Sequence, residues 1–204
     1  GHSTAHFMMK VAASALEAED IAVATDAFED SLKILRNVGD AGGDDMKIAV
    51  RGCIRGHKLL AKETEAVGDY DAAISHRTRV CQLLEEDDRI VPASLQRAKI
   101  AYLRGAKGEY EDSAAVLSEA IVGLRNTSDD EVFDRGELLI QCHQMQAICY
   151  AKSRKRTDAL EQYDELLRLV ARRDGRDGGR GSKRYNCALI HKSALLVAMG
   201  DHLS

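Results

Sequence analysis

The stretch Gly68–Leu84, GDYDAAISHRTRVCQLL, decides the fold. It follows a helical run, Ile54 to Val67, and opens a second one. Gly68 ends the first run, because glycine best tolerates the left-handed backbone of a helix C-terminus. Asp69 or Asp71 supplies an N-cap oxygen for the next run, with Tyr70 between them. Ala73, Val80 and Leu84 then share one face at helical spacing. This predicts a helix–turn–helix hairpin with a small residue, Ala73, where two helices cross closely. A lone hairpin cannot bury its apolar face, so the question is whether the pattern recurs.

It recurs forty residues on, at Gly108–Leu124, GEYEDSAAVLSEAIVGL. A third copy, Thr157–Leu167 (TDALEQYDELL), lacks the glycine, and Thr25–Leu35 (TDAFEDSLKIL) is its near twin at the front. The small-residue position is then Ala27, Ala73, Ser113 and Ala159, at spacings of 46, 40 and 46. Gly200-Asp201-His202 matches a fifth turn. The chain reads as four helix hairpins, 8–38, 46–86, 94–126 and 130–173, plus the first helix of a fifth, 185–199. Helix pairs repeating at a fixed period are the sequence signature of a solenoid.

The GDY and GEY turns, with Ala73 or Ser113 three residues on, resemble tetratricopeptide (TPR) repeats. Leu60-Ala61 and Ile100-Ala101 match the large–small packing pair of the family's first helices, and Ala147 with Tyr150 matches it in part. The period is longer than the common TPR period of about 34 residues. Periods of 40 to 46 look more like the extended repeats of kinesin light chains and of the LGN/Pins polarity adaptors. The resemblance spans residues 8–204 as one array and implies a right-handed, all-α solenoid. One departure is marked: where the family carries a bulky early aromatic, this chain has His57, Arg97 and His143.

Composition agrees with helices. Of 204 residues, 45% are apolar and 4% aromatic, with one proline (Pro92) and no tryptophan, which favours packing by Ala, Leu, Ile and Val. A net charge of −4 argues against a general nucleic-acid binder. Five cysteines without a CxxC motif read as reduced core thiols, hence a cytoplasmic protein. No run approaches the roughly 20 apolar residues of a membrane span. Residues 1–7 read as a tag remnant or disordered leader.

Other motifs fall to plainer readings. Gly39–Asp45 (GDAGGDD) is a connection, not an EF-hand, since no twelve-residue ligand pattern with a terminal Glu follows. Ser128 is a candidate cap for a helix from Asp130 to Ser153. Cys142 and Cys149 lie a heptad apart without a second pair of ligands, so they read as packing thiols rather than a zinc site. Arg172–Arg184, RRDGRDGGRGSKR, lacks the order and the preceding strand of a phosphate loop and reads as an inter-repeat loop. No catalytic constellation or cofactor motif appears, so a non-enzyme is expected.

The resemblance implies a protein-interaction scaffold that takes a partner peptide or helix in a concave groove lined by the first helix of each hairpin. The groove positions are then Arg55, Lys58, Lys62, Tyr102, Gln141, Gln144 and Ile148. Arg51, Arg55, Lys58 and Lys62 share one helical face, and Arg97 and Arg104 extend the positive region, which suits an acidic partner; the plainer reading is a solvated charged face. Two alternatives stand beside this one. The first is a structural subunit of a motor, ciliary or cytoskeletal assembly. The second is a chaperone-type adaptor for acidic C-terminal peptides, weakened because TPR carboxylate clamps need first-helix asparagines and only Asn186 of the three asparagines lies on one. Self-association through the uncapped C-terminal helix is a further expectation.

Overall fold

The structure is a computed structural model, and the residues it describes are 1–39, 43–127, 134–173 and 182–200. Among them it forms nine helices and no strand: α1 (His2–Glu17), α2 (Ile21–Asn37), α3 (Asp44–Ala66), α4 (Tyr70–Glu86), α5 (Ile90–Ala106), α6 (Tyr110–Asn126), α7 (Arg135–Lys152), α8 (Arg156–Arg173) and α9 (Lys183–Gly200). The chain divides into two compact units, Gly1–Arg89 and Ile90–Ser204. In the first, α1 packs on α2, α2 on α3 and α3 on α4; in the second, each helix from α5 to α8 packs on the next, and α9 closes on α8. The odd-numbered helices are the first helices of hairpins and the even-numbered ones the second.

The turns share one construction. Gly68 and Gly108 have φ of 81° and 83°, and the amide of the next residue bonds back to the carbonyl five positions earlier: Asp69 to Thr64 and Glu109 to Arg104, both 2.9 Å. This closure satisfies the last helical carbonyls. Asp69 then accepts from the amide of Ala72, 3.1 Å, and so starts α4. The same closure without glycine occurs at Glu19 (φ 59°) and Arg154 (φ 62°), where Asp20 bonds to Ala15 and Lys155 to Tyr150.

Counting from these turns corrects the register of the first repeat. Ala73, Ser113 and Ala159 each lie five residues beyond the left-handed residue, and five beyond Glu19 is Ala24, not Ala27. Ala27 is buried one turn further along α2. TDAF at 25–28 imitates TDAL at 157–160 but begins later in its helix. The corrected register pairs Ala12 with Ala24, Ala61 with Ala73, Ala101 with Ser113 and Ala147 with Ala159, and all eight residues are 0% exposed. In the third pair the Ser113 hydroxyl donates to the Ala101 carbonyl, 2.7 Å, so the two backbones meet at that point.

Several boundaries differ from the sequence reading. Residues 2–7, expected as leader or tag, belong to α1, because Ala5 is fully buried and its carbonyl accepts from the Ser31 hydroxyl, 3.2 Å. α5 starts at Ile90, before Ser94, with Pro92 inside its first turn, where a missing amide costs no helical bond. Asp134, not Ser128, caps α7 through the amide of Glu137, 2.9 Å; Ser128–Phe133 lie outside the described residues. So do 40–42 of the Gly/Asp connection, 174–181 of the Gly/Arg stretch, and Asp201 and His202 of the fifth turn. The ends of the Gly/Arg stretch are helical: Arg172 and Arg173 close α8, and Lys183 and Arg184 open α9.

Polar rungs replace the missing aromatics. His57, Arg97 and His143 stand sixteen residues before Ala73, Ser113 and Ala159. Each bonds to the second helix of its own hairpin: His57 Nδ1 to His76 Nδ1 (3.0 Å), Arg97 to Glu119 (3.3 Å) and His143 Nδ1 to Gln162 (2.8 Å). Two of them also reach back to the preceding helix. His57 Nε2 meets Glu29 on α2, 3.0 Å, and His143 Nε2 meets Arg125 on α6, 3.3 Å. Arg79 closes the first network by donating to both oxygens of Glu29, 2.7 Å each. Burial opposes ionisation of Glu29, but hydrogen bonds from Arg79 and His57 and their charges outweigh it and hold the carboxyl at about 2. Burial, helped by the neighbouring His57, lowers the pKa of His76. Burial also lowers His143; the Arg125 charge adds to it, against the Gln162 hydrogen bond and the Glu165 charge.

Two predictions follow from the turns and rungs. Arg154 is exposed and pays the strain of a side chain in left-handed backbone. Arg154→Gly therefore raises stability by up to about 1 kcal/mol, and Gly68→Ala lowers it by about 1 kcal/mol, as read from urea unfolding. The rungs set the pH dependence. His76 and His143 take up a proton less readily in the fold than in the unfolded chain, so stability falls as pH drops below about 6.5, the ordinary histidine value. Glu29 adds stability that is complete above pH 4.5 and is lost as pH falls toward about 2. His143→Gln should flatten the upper step and Glu29→Gln the lower one in urea midpoints measured from pH 8 to 3; midpoints unchanged between pH 8 and 5 in the parent would contradict this.

Candidate functional site

Each unit carries a concavity on its first helices, and the two differ in chemistry. In the second unit, α5 and α7 face one another across a groove of about 520 Å³. The α5 wall is Ala101, Tyr102, Gly105 and Ala106, and the α7 wall is Gln141, Gln144, Met145 and Ile148, with Tyr110 and Ser113 of α6 contributing. Small residues on α5 leave the space, and no charged side chain lines it. Tyr102 is 66% exposed and Ile148 38%, so both present apolar surface to an incoming chain. Gln141 donates to Glu137, 2.9 Å, which orients its amide along α7. At the base, the Cys149 thiol lies 3.2 Å from the Ser113 hydroxyl. Four of the expected groove residues, Tyr102, Gln141, Gln144 and Ile148, thus line one groove.

In the first unit, α3 carries a cleft of about 400 Å³ lined by Arg51, Arg55, Lys58 and Arg89 around Ile54 and Leu59. Four cations surround an apolar floor, and no carboxylate lines it. Among the described residues Arg51, Arg55 and Arg89 form no side-chain ion pair. Lys62 is exposed one turn beyond the cleft and does not line it. A neighbouring cavity of about 430 Å³ shares Arg51, Ile54 and Arg89, but Glu86 and Asp87 temper its charge, and Glu86 pairs with Arg36.

The expected extension through Arg97 and Arg104 is not available. Arg97 is spent on Glu119, and Arg104 pairs with Glu109 and Asp112, both 3.2 Å. Nor does Glu65 neutralise the α3 face: it pairs with Arg77 of α4, which is buried. Arg89 escaped the sequence reading because it ends the acidic run EEDDR and looks like a loop residue. Its amide bonds to the Leu84 carbonyl, 2.8 Å, and that turn brings it to the α3 cleft. Met145 was also missed; its place one residue after Gln144 was the available signal.

Three of the buried thiols, Cys53, Cys142 and Cys149, are held protonated by burial. Burial pushes Cys53 and Cys142 up to about 12, and it raises Cys149. A thiol that stays protonated is a poor nucleophile and a poor metal ligand. Among the described residues no group of three or more His, Cys, Asp or Glu could hold a metal ion, and no helix is long and apolar enough to cross a membrane.

No protein-family model matches the sequence, and no curated protein matches it at the sequence level. Solved structures do match. BtubC (BKLC) from P. vanneervenii superposes with a TM-score of 0.54 at 14% identity over 84% of this chain and 65% of that one. The apo form of RapI gives 0.54 at 13% identity over 96% of this chain and 53% of its own. The Podosopora anserina "putative kinesin light chain nearly identical TPR-like repeats" gives 0.52 at 12% identity over 98% and 89%. The chain therefore spans about two thirds and about half of the first two structures. At such low identity the likeness establishes the fold, which is all-α and TPR-like.

Proposed function

We propose that this chain is a protein-interaction module whose work is binding rather than catalysis, and that the α5–α7 groove takes a peptide segment of the partner. The observation that carries this reading is the groove itself. Two exposed apolar side chains, Tyr102 and Ile148, flank an uncharged trough about 520 Å³ in volume with glutamine amides along one wall. An extended peptide entering it would bury one apolar side chain between Tyr102 and Ile148. Gln141 and Gln144 would meet its backbone amides and carbonyls, which must find partners once water leaves. Binding sites typically join such an apolar interior to a few placed polar groups.

The α3 cleft supports the acidic preference separately. Arg51, Arg55, Lys58 and Arg89 would attract a carboxylate-rich segment and raise its encounter rate, with Ile54 and Leu59 as the apolar floor. Lys62 would add long-range attraction from outside the cleft.

A displayed library of random peptides tests both arms. Peptides enriched on the parent chain should carry an apolar anchor and lose at least about tenfold in affinity on Tyr102→Ala with Ile148→Asp, since a central aromatic anchor typically contributes about 2 kcal/mol. Acidic peptides should instead lose affinity on Arg55→Glu with Lys58→Glu and in rising salt, because exposed charges are screened over about 10 Å at 0.1 M. Both variants change exposed residues, so melting should move by no more than about 0.5 kcal/mol. Enriched peptides that bind both variants as well as the parent would refute the reading.

A further inference from the structure

We propose that the α3 cleft seats one phosphorylated serine or threonine of a partner peptide, with an apolar neighbour of that residue in the adjoining cavity. This assignment rests on the reading of the cleft as a seat for an anionic segment, and it names the anion. The cleft is not a face left open by an end of the chain, because α3 already packs on both α2 and α4. What calls for explanation is its charge. Arg77, Arg79, Arg97 and Arg104 are each paired with a carboxylate of a neighbouring helix. Arg51, Arg55 and Arg89 instead line one cleft and form no side-chain ion pair among the described residues. Arg51 and Arg55 are four residues apart on α3, a spacing at which like charges repel and destabilise the helix until an anion neutralises them.

The kind of cation narrows the kind of anion. A guanidinium presents its donors as a planar fork that fits phosphate oxygens two at a time. Arg51 and Arg55 come from successive turns of α3 and Arg89 from the turn after α4, so the forks belong to two different elements. A carboxylate offers two oxygens in one plane. A phosphoryl group offers three, carries a charge of about −1.5 to −2 at neutral pH, and so accepts forks from more than one direction.

The surroundings favour one concentrated charge over a run of acidic residues. The cavity of about 430 Å³ that shares Arg51, Ile54 and Arg89 is also lined by Met46, Val50 and Leu83, and by Glu86 and Asp87. A second acidic residue entering it would meet those two carboxylates. An apolar residue would meet the methionine, valine and leucine. The matching ligand is therefore a phosphorylated residue beside an apolar one, and recognition of phosphorylated motifs by clustered arginines is a recurring mode of peptide binding.

The test uses three mixtures of short peptides, randomised except for a fixed central phosphoserine, glutamate or serine. The immobilised chain should retain the phosphoserine mixture about tenfold better than either other mixture, since charge-assisted bidentate bonds are the strong ones. The retained peptides should favour an apolar residue at one fixed offset. Arg55→Gln with Arg89→Gln should abolish the preference, and Arg55→Lys with Arg89→Lys, which keeps the charge but not the forks, should reduce it. Arg154→Gln with Arg172→Gln removes the same charge from exposed positions of the second unit and should keep it. The comparison of mixtures on the parent chain decides the matter even where a variant loses helix. Equal retention of the phosphoserine and glutamate mixtures overturns the phosphoryl assignment and leaves the acidic reading of the cleft standing. Retention of neither overturns both. A phosphoserine preference that survives the glutamine variant puts the phosphate elsewhere and overturns the proposal. So does binding to phosphatidylinositol-phosphate vesicles without preference among the peptides, which would assign the arginines to a membrane.

Discussion

The close approach of two helices at a pair of small residues is the constraint on which the rest of the structure depends. Where Ser113 meets Ala101, a hydroxyl on one helix bonds directly to the backbone carbonyl of the other. Only side chains the size of alanine or serine permit that distance. The equivalent positions of the other three hairpins are pairs of alanines, and every member of the four pairs is fully buried. The crossing brings each second helix against its first, and the left-handed turn residue lets the chain double back within three residues. What remains outward on α5 and α7 is the groove, and what remains outward on α3 is the basic cleft. α3 approaches the preceding α2 just as closely, since any side chain at Gly56 would overlap Thr25.

Polar rungs hold the register between crossings. An aromatic wedge would fill space without specifying a partner, whereas His57, Arg97 and His143 each select one. A buried polar network is stabilising only when its members are satisfied, and the rungs meet that condition by reaching across two or three helices. The ionised Glu29 carboxylate accepts from His57 Nε2, and one proton lies between the two Nδ1 atoms, so a proton on each of them would set two N–H groups head to head. Acid sensitivity is thus a consequence of the device that replaces the aromatics.

Much of this was legible in the sequence. The glycine-aspartate and glycine-glutamate turns and the Ala61–Ala73 spacing follow from helical periodicity once the repeat is seen. Tyr102, Gln141, Gln144 and Ile148, which the resemblance to TPR repeats sets on the first-helix face, line one cavity. Three things were not legible. The first repeat was misaligned because TDAF and TDAL are alike in residues but not in distance from their turns. The basic face was overdrawn because charge counts do not reveal pairing: Arg97 and Arg104 are spent on carboxylates that only the fold brings near. Arg89 was overlooked because its role depends on a turn between helices, which periodicity does not describe.

The groove and cleft exist only if the helices cross where the small pairs put them, so the most direct measurement is of the crossing itself. Ala73→Leu inserts three carbons at a fully buried position. Urea unfolding should show a loss of about 1–3 kcal/mol from overpacking, while Val67→Leu, 79% exposed at the end of the preceding helix, should stay within about 0.5 kcal/mol of the parent. Equal stability of the two variants would mean that the helices do not meet at Ala73, and the crossing would no longer account for the fold.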